Sequence, residues 1–148
     1  MTDDVHAAVE HLLSGAGQRY TSKRCHLIEA LRRIGRPAAI GDLVSGRRGL
    51  PQSSVYRNLS VLEHVGAVRR VITEEGVARY ELAEDLTTHH HHLVCRSCGT
   101  VEDVTMPARL ERTVERTLAE AAAAADFEGA VHRVDLIGTC RDCRDVTA

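Results

Sequence analysis

The sequence predicts an α+β protein made of two small domains, and three observations support this class. Helical patterns fill the first part of the chain and end in two segments that alternate with period two. A short polar stretch follows, and beyond it strand patterns flank one helical pattern. The 148 residues, 43% of them apolar, suffice for packed cores, and no apolar run approaches the roughly 18 residues of a membrane-spanning helix. An integral membrane protein is therefore excluded.

Four helices are predicted in the first part of the chain, over residues 5–13, 22–34, 40–45 and 53–65. Thr21 can cap the second helix at its N-terminus, and Gly35 followed by Pro37 ends it. Pro51 stands near the start of the fourth helix, where the missing N–H of proline costs little. The short connections predict a compact bundle.

The fourth predicted helix has two different faces. Apolar or small residues recur at helical spacing and predict an inward stripe: Val55, Leu59, Leu62 and Gly66. The opposite face carries Ser53, Tyr56, Arg57 and Ser60. Hydroxyl, guanidinium and aromatic groups of this kind contact phosphates and base edges in a major groove. A plain amphipathic helix with a solvated face is the alternative.

The segments AVRRVIT and VARYEL, separated by Glu74, Glu75 and Gly76, predict a β-hairpin. Helices followed by a hairpin form a winged helix, a relative of the helix-turn-helix modules that place one helix in the major groove. Residues 19–79 contain 12 lysines and arginines against five acidic residues, a net charge of +7 in a chain whose total is -2. This basic module is typical of a polyanion binder, with an ordinary solvated surface as the alternative.

The polar stretch at residues 84–88 is interpreted as a linker to a second domain. Paired strands are predicted in HLVCRSC and TVEDV with a turn at Gly99, then a helix from Pro107 to about Ala125, and a third strand in VHRVDLIG. Three strands and one helix enclose little apolar core. This domain is therefore expected to need a metal ion or a partner subunit for stability.

Two cysteine pairs, Cys95-x-x-Cys98 and Cys140-x-x-Cys143, are separated by 41 residues. Four thiolates can close a tetrahedral zinc site, and tertiary structure would have to bring the pairs together. Two disulfides or a redox CxxC are the alternatives. The first residues, MTDDVHAAVE, lack the positive charge of a secretory signal, so the expected location is a reducing cytoplasm, which favours zinc.

Four consecutive histidines precede the first cysteine pair. If they enter the strand that continues through LVC, their side chains alternate, with His89 and His91 on one face and His90 and His92 on the other. One tetrad could therefore serve two metal sites. A solvated polar tract with adventitious metal affinity is the alternative.

Residues elsewhere in the chain could complete both histidine sites. The first face could recruit Glu111 from the helix and His132 from the last strand. The second could recruit Glu81 or Glu74 from the hairpin, which would tether the two domains through an ion and make the site a switch. Imidazole and carboxylate ligands suit Fe(II), Zn(II), Mn(II) or Ni(II), and ligand type does not choose among them.

The remaining cysteine and histidines are given no strong role. Cys25 is interpreted as a small buried apolar residue, and His6, His11, His26 and His64 as mostly surface groups. His6, His11 or His26 could still supply a missing metal ligand.

Four blocks resemble the ferric uptake regulator family of metal-dependent repressors: RYTSKR, SSVYRNLSVLEHVGAV, HHHHLVCRSCG and HRVDLIGTCRDC. They occur in the family's order, close to its spacing, and cover residues 19–143. The resemblance implies a homodimer whose winged helices bind an A/T-rich palindrome in double-stranded operator DNA when a regulatory metal is bound. It implies a winged-helix DNA-binding domain over residues 1–84, a hinge at 85–88 and a metal-binding dimerisation domain over 89–148 with a three-stranded sheet.

The resemblance also assigns roles by position. Tyr56 and Arg57, with Ser53 beside them, match DNA contacts of the recognition helix, Arg19 a residue that enters the minor groove, and Arg24 a phosphate contact. The structural zinc site corresponds to Cys95, Cys98, Cys140 and Cys143, the dimerisation-domain site to His89, His91, Glu111 and His132, and the hinge sensor to Glu81, His90 and His92. The hinge sensor lacks an identified fourth ligand.

Departures from the family pattern bear on the regulatory ion. The linker before the histidines is two residues longer than usual, and Arg36 with Pro37 stands where iron and peroxide sensors often carry a histidine. Ala83 stands where zinc sensors usually carry a cysteine, whereas Glu81 follows an aromatic residue as in the iron-responsive branch. The expectation is structural Zn(II) with iron-type sensing by Fe(II), and Zn(II) or Mn(II) as other regulatory ions. Zinc-uptake, peroxide-sensing and other-metal members of the family are the alternatives.

Two other classes compete with a regulator. A zinc-dependent hydrolase or deaminase needs an open coordination position and a nearby base, but the sequence has no HExxH motif and its cysteine pairs indicate a closed site. A scaffold in which every metal is structural is the second. The sequence therefore favours a DNA-binding regulator that is not an enzyme.

Overall fold

The computed structural model describes residues 2–44, 50–73, 76–129 and 131–146. Its helices are α1 (Thr2–Gly15), α2 (Ser22–Ile34), α3 (Ile40–Val44), α4 (Gln52–His64), α5 (Ala108–Ala124) and α6 (Arg141–Val146). Its strands are β1 (Ala38–Ala39), β2 (Val68–Ile72), β3 (Ala78–Leu82), β4 (His91–Cys95), β5 (Val101–Val104) and β6 (Asp135–Gly138), with a short 3₁₀ turn at Glu84–Leu86. Three positions in the predicted third helix and hairpin turn lie outside the described residues: Ser45, Glu74 and Glu75.

Helices α1 to α4 and the sheet β1-β3-β2 share one apolar core. The predicted boundary signals of α2 operate as expected. The hydroxyl of Thr21 accepts a hydrogen bond from the backbone N–H of Arg24 at 3.5 Å. Gly35 takes a left-handed φ of 64°, and its N–H donates to the carbonyl of Leu31. The observed helix therefore covers the predicted residues.

Helix α4 buries the predicted stripe except at its last member. Val55, Leu59 and Leu62 are fully buried. Gly66 is exposed and has a φ of 77°, because the helix ends at His64 and the chain turns toward β2 in a conformation that favours glycine. The prediction that Gly66 packs inward is wrong.

The predicted hairpin is present as β2 and β3, which pair antiparallel from Val68 opposite Leu82 to Ile72 opposite Ala78. Strand β1 pairs with the other edge of β3 and was not predicted, since its two residues are too few to display a period. The basic N-terminal domain is thus a helical bundle followed by a hairpin, the arrangement of a winged helix.

The second sheet has the order β5-β4-β6, with β4 antiparallel to β5 and parallel to β6. Strand β6 begins at Asp135, later than the predicted start near Val131, because His132 turns toward α5, where its Nε2 lies 2.9 Å from Oε1 of Glu111. Helix α6 follows this strand and was not predicted.

The second domain has little core, as the sequence predicted. No side chain of α5, all of which lie in the described part of the chain, is buried. Leu93, Leu136 and Ile137 on β4 and β6 are 41 to 50% exposed. None of the described helices is both long enough and apolar enough to cross a bilayer.

Candidate metal centres and nucleic-acid face

The four cysteines of the CxxC pairs form the cysteine cluster, in which all sulfur atoms lie within 4.8 Å of one another. Parallel pairing puts Cys95 opposite Gly138, two residues before Cys140, and so brings the distant pairs together. The N–H of Cys140 donates to Sγ of Cys95 at 3.3 Å, and the Sγ atoms of Cys98 and Cys140 are 3.8 Å apart. No disulfide joins the described cysteines.

Neighbouring groups separate the pKa values of these thiols. The backbone N–H of Cys140 lowers the pKa of Cys95 to about 6. The hydrogen bond with the Cys140 thiol raises the pKa of Cys143 to about 12. Four thiols so close together cannot all ionise without a cation between them, because like charges repel. This all-sulfur donor set fits a closed structural zinc site.

The second group, the α5 cluster, consists of His89, His91, Glu111 and His132. Pro107 precedes α5 and leaves Glu111 in its first turn. Its Oε2 lies 2.9 Å from Nε2 of His91, and its Oε1 lies 2.9 Å from Nε2 of His132 and 3.1 Å from Nε2 of His89. The hydrogen bond with His91 lowers the pKa of Glu111. Three imidazoles and one carboxylate fit a divalent transition-metal ion.

The third group, the hinge cluster, consists of Glu81, His90, His92 and Asp103. Glu81 Oε2 lies 3.2 Å from Nε2 of His90 and 3.2 Å from Nε2 of His92. Nε2 of His90 is 3.9 Å from Oδ2 of Asp103. Glu81 comes from the winged helix and the other three residues from the segment after the polar stretch, so the cluster lies between the two domains.

Hydrogen bonds on the far side of each ring orient the hinge histidines. The carbonyl oxygen of Thr88 can only accept, so Nδ1 of His90, 2.8 Å away, carries the proton. Nδ1 of His92 donates to Oδ1 of Asp135 at 3.1 Å. Both Nε2 atoms therefore face Glu81. Each donates a hydrogen bond to the carboxylate when its ring is protonated and offers a lone pair to a cation when the ring is neutral, so the rings are oriented as metal ligands.

Glu81 is ionised although it is only 5% exposed. Burial opposes the charge, but hydrogen bonds from His92 and Arg69 outweigh it and lower the pKa of Glu81 to about 2. Two imidazoles and two carboxylates fit a divalent cation with a preference for nitrogen and oxygen ligands.

The tetrad alternates between two clusters as predicted, and Glu81, Glu111 and His132 join it at the predicted sides. Glu74, the other residue proposed for the hinge, lies outside the described residues. Asp103 was missed. Asp103 lies near the histidines because it stands opposite His92 in the antiparallel pairing of β4 with β5. The sequence alone does not show that register.

The suggestion that His6, His11 or His26 completes the hinge cluster is wrong for the described structure, since Asp103 occupies that place. His11 and His26 are exposed. His6 is half-buried, with Nδ1 2.5 Å from the hydroxyl of Tyr20 and Nε2 2.6 Å from Glu29. The packing of α1 against α2 creates this network, which helical spacing alone does not reveal.

Cys25 is also less buried than the sequence predicted. It is half-buried rather than enclosed among apolar side chains, because its Sγ lies 3.9 Å from Nδ1 of His6 at the edge of the α1–α2 contact. The interpretation of Cys25 as a buried small apolar residue is therefore wrong in its degree of burial.

Most of the predicted DNA-contact residues lie on an exposed face. Ser53, Tyr56 and Arg57 project from the first half of α4, and Tyr56 is 47% exposed. A polar groove of about 660 Å³ runs between the starts of α2 and α4 and includes Lys23 and Arg57 in its lining.

Arg19 and Arg24 lie at the start of α2. Arg19 is exposed, whereas Arg24 is half-buried. The guanidinium of Arg24 donates to the carbonyl of Arg19 at 2.5 Å and to the side chain of Gln18 at 3.1 Å. These bonds hold the loop that carries Arg19 against α2.

A winged helix joined to a domain with grouped cysteines, histidines and carboxylates is the architecture of metal-responsive transcription regulators. The family pattern described as the ferric uptake regulator family matches residues 15–137. The chain belongs to this family, whose members are regulators of transcription and not enzymes.

Known members of the family are similar to this chain. A peroxide-responsive repressor, PerR, of Staphylococcus aureus strain USA300 is 31% identical over 96 residues, which are 63% of this chain and 57% of that protein. The chain thus spans little more than half the length of this curated relative.

Two solved structures agree with the fold. The Vibrio cholerae ferric uptake regulator superposes with a TM-score of 0.69 at 26% identity, covering 88% of this chain and 98% of that one. The Pseudomonas aeruginosa regulator, whose structure contains manganese, gives 0.66 at 26% identity, with coverages of 87% and 95%. The predicted α+β class is confirmed.

Proposed function

We propose that this chain is a metal-responsive repressor that binds an A/T-rich palindromic operator as a homodimer. The observation that carries the proposal is the hinge cluster, because it draws Glu81 from the wing and His90, His92 and Asp103 from the second domain. Because the donors come from both domains, a cation bound there would favour the relative orientation that brings all of them within reach.

The roles of the clusters follow from their donor atoms. The cysteine cluster would hold structural zinc, and the hinge and α5 clusters would hold exchangeable cations. A bound divalent cation would supply positive charge to ligand atoms of both domains. In the hinge cluster Glu81 fixes the position of the wing, while Thr88 and Asp135 hold the two imidazoles toward it.

Iron-type sensing is the proposed specificity. The hinge donors among the described residues are two imidazoles and two carboxylates, without the thiolate that favours zinc. Arg36, at the position where iron and peroxide sensors often carry a histidine, lines the cavity of about 280 Å³ beside the cluster, and Asp103 is the proposed fourth ligand in its place. Peroxide-responsive regulation is the second candidate, favoured by the similarity to PerR.

A second copy of the chain is the proposed cover for the apolar surface of the second domain. Leu93 on β4 and Leu136 on β6 are register partners and are both exposed. Helix α5 also exposes Leu110 and Leu118. Burial of this surface would supply the apolar contact that the domain lacks by itself. The proposed division remains residues 1–84, 85–88 and 89–148, supported by a first core whose members all precede residue 87.

The proposed DNA contacts lie on the N-terminal domain. Tyr56, Arg57 and Ser53 on α4 would enter the major groove, because they are exposed on one helix face above a buried stripe. Arg19 would reach the minor groove and Arg24 a phosphate, at the start of the neighbouring helix α2.

The test measures binding of a labelled A/T-rich palindrome to the metal-depleted chain, with Fe(II), Mn(II), Zn(II) or Ni(II) added in turn. We expect the preferred ion to tighten binding by roughly 100-fold, and affinity to fall steeply with salt because phosphates are neutralised. The double variant His90→Ala/His92→Ala should lose the metal effect, and the control His11→Ala/His64→Ala, with two exposed histidines outside the clusters, should keep it. Equal DNA affinity with and without every ion would refute the proposal.

A further inference from the structure

The hinge cluster and the α5 cluster are joined by a continuous series of side-chain hydrogen bonds. Its centre is Arg69 on β2, one residue before the exposed Arg70. The Arg69 guanidinium donates from Nε at 2.7 Å and from Nη2 at 2.6 Å to Oε1 of Glu81. From Nη1 it donates to Oε1 of Glu84 at 2.8 Å. One arginine thus holds two carboxylates.

The series continues from Glu84 into the other cluster. Oε2 of Glu84 lies 3.1 Å from Nδ1 of His89, and Nε2 of the same ring lies 3.1 Å from Oε1 of Glu111. Glu81 and Glu84 each use Oε1 for Arg69; Oε2 of Glu81 contacts two histidines, and Oε2 of Glu84 contacts one. Three side chains, Arg69, Glu84 and His89, therefore separate the carboxylate of one cluster from that of the other.

The environment makes the part of this series around Arg69 stronger than an ordinary surface ion pair, whereas the side chain of His89 at its far end is 36% exposed. The side chains of Arg69 and Glu81 are 22% and 6% exposed, and that of Glu84 is 28% exposed. Shielded, charge-assisted pairs of this kind are worth more than solvated ones. The planar fork of arginine can satisfy two carboxylates at once, which a lysine ammonium cannot do with the same geometry.

We propose that Arg69 is a positioning residue that couples the α5 cluster to the hinge cluster, so that a cation in one raises the affinity of the other. The inference rests on the proposed function, in which both clusters take divalent cations. When His89 is held as a ligand, its Nδ1–H fixes Glu84, Glu84 fixes Arg69, and Arg69 fixes Oε1 of Glu81. Oε2 of Glu81 is then already oriented toward His90 and His92, and the second binding event costs less ordering.

The test titrates Co(II) into the chain with its cysteine cluster kept in zinc, without DNA. The Co(II)-binding step that is missing from the His92→Ala variant is assigned to the hinge cluster and is called the hinge step. In the otherwise unchanged chain, His132→Ala in the α5 cluster should weaken the hinge step about tenfold. With Arg69→Met the same His132→Ala change should alter the hinge step less than twofold, roughly the measurement error.

Two further variants distinguish the hydrogen bonds from Arg69 to two carboxylates from the effect of its positive charge alone. Arg69→Lys retains a cation but not the fork, and it should also lose the coupling. Arg70→Met is the matched control, because Arg70 follows Arg69 on the strand but interacts with Glu63, at 3.5 Å, and with Tyr80, neither of which belongs to a metal cluster. It should keep the full tenfold effect. Nitrogen NMR of the metal-free chain should show the His89 ring changed by Arg69→Met and unchanged by Arg70→Met.

The outcomes are distinct from those of the proposed function. Two Co(II) sites whose coupling persists in both Arg69 variants would overturn the role of Arg69 and leave a metal-responsive regulator standing. If Co(II) binds the two clusters of the unaltered chain independently, the role of Arg69 is likewise overturned and the metal-responsive regulator still stands. Absence of any Co(II) step at the hinge cluster would instead remove the proposed function, and the coupling with it.

Discussion

Asp103 completes the hinge cluster from a strand edge, and its contribution is individually testable. Its Oδ2 is 3.9 Å from Nε2 of His90, farther than the oxygen of Glu81 at 3.2 Å. The carboxylate is also more exposed than the other three groups. A modest movement of this side chain would bring it into the first coordination shell of a cation.

We expect Asp103→Asn to weaken divalent-cation binding at the hinge cluster by about tenfold, because the site loses a negative charge and a strong oxygen donor. Isothermal titration with Mn(II) would measure the change. The neighbouring Glu102→Gln is the control, since Glu102 pairs opposite Leu93 and lies outside the cluster. Equal losses in both variants would show that only the overall charge of β5 matters.

At the scale of elements, the boundary between α4 and the wing depends on one glycine. Gly66 has a φ of 77°, and apart from Gly66 and its two chain neighbours no described residue has an atom within 4 Å of the place where a Cβ would stand. The cost of a side chain there is therefore conformational rather than steric. This turn sets the direction in which β2 leaves α4.

We predict that Gly66→Ala destabilises the protein by about 1 kcal/mol, because an alanine in the left-handed region is strained. Gly41→Ala in α3 is the control, since Gly41 also has open space but no positive φ, and it should be stabilising by about 0.5 kcal/mol. Urea unfolding of both variants measures the difference. Equal effects would contradict the assignment of strain to Gly66.

At the scale of the whole molecule, the two domains obtain their stability differently. The first packs a core of fully buried side chains that includes Leu13, Ile28 and Leu59. The second buries Val94 and Val101 beside the histidines and leaves all of α5, within the described residues, without a buried side chain. Its strand ends meet at the cysteine cluster, so a bound ion there would join β4, β6 and α6.

We therefore expect removal of metal by a strong chelator under reducing conditions to unfold the second domain first. Hydrogen exchange should show lost protection in β4, β5 and β6 while α2 and α4 stay protected. Cys140→Ser should produce the same pattern without chelator, and Cys25→Ser, outside the cluster, should not. Loss of protection in both domains together would contradict this separation.

Much of the architecture was predictable from the sequence because its signals are local. The caps of α2, the stripe of α4 and the alternation of the hairpin each depend on residues a few positions apart. The split of the histidine tetrad was predictable for the same reason, since side chains in any strand alternate. Gly66 was misjudged because its spacing continued the helical stripe after the helix had ended.

The sequence by itself determined the fold class, the paired cysteines and the two-faced tetrad, because periodicity and spacing act over short stretches of chain. Only the tertiary structure decided that Asp103 meets the hinge cluster and that Asp135, 43 residues from His92, orients its ring. It also decided that Arg69 and Glu84 connect the two histidine clusters. These contacts depend on which strands lie side by side and in what register, and strand pairing is set by the packing of the whole chain.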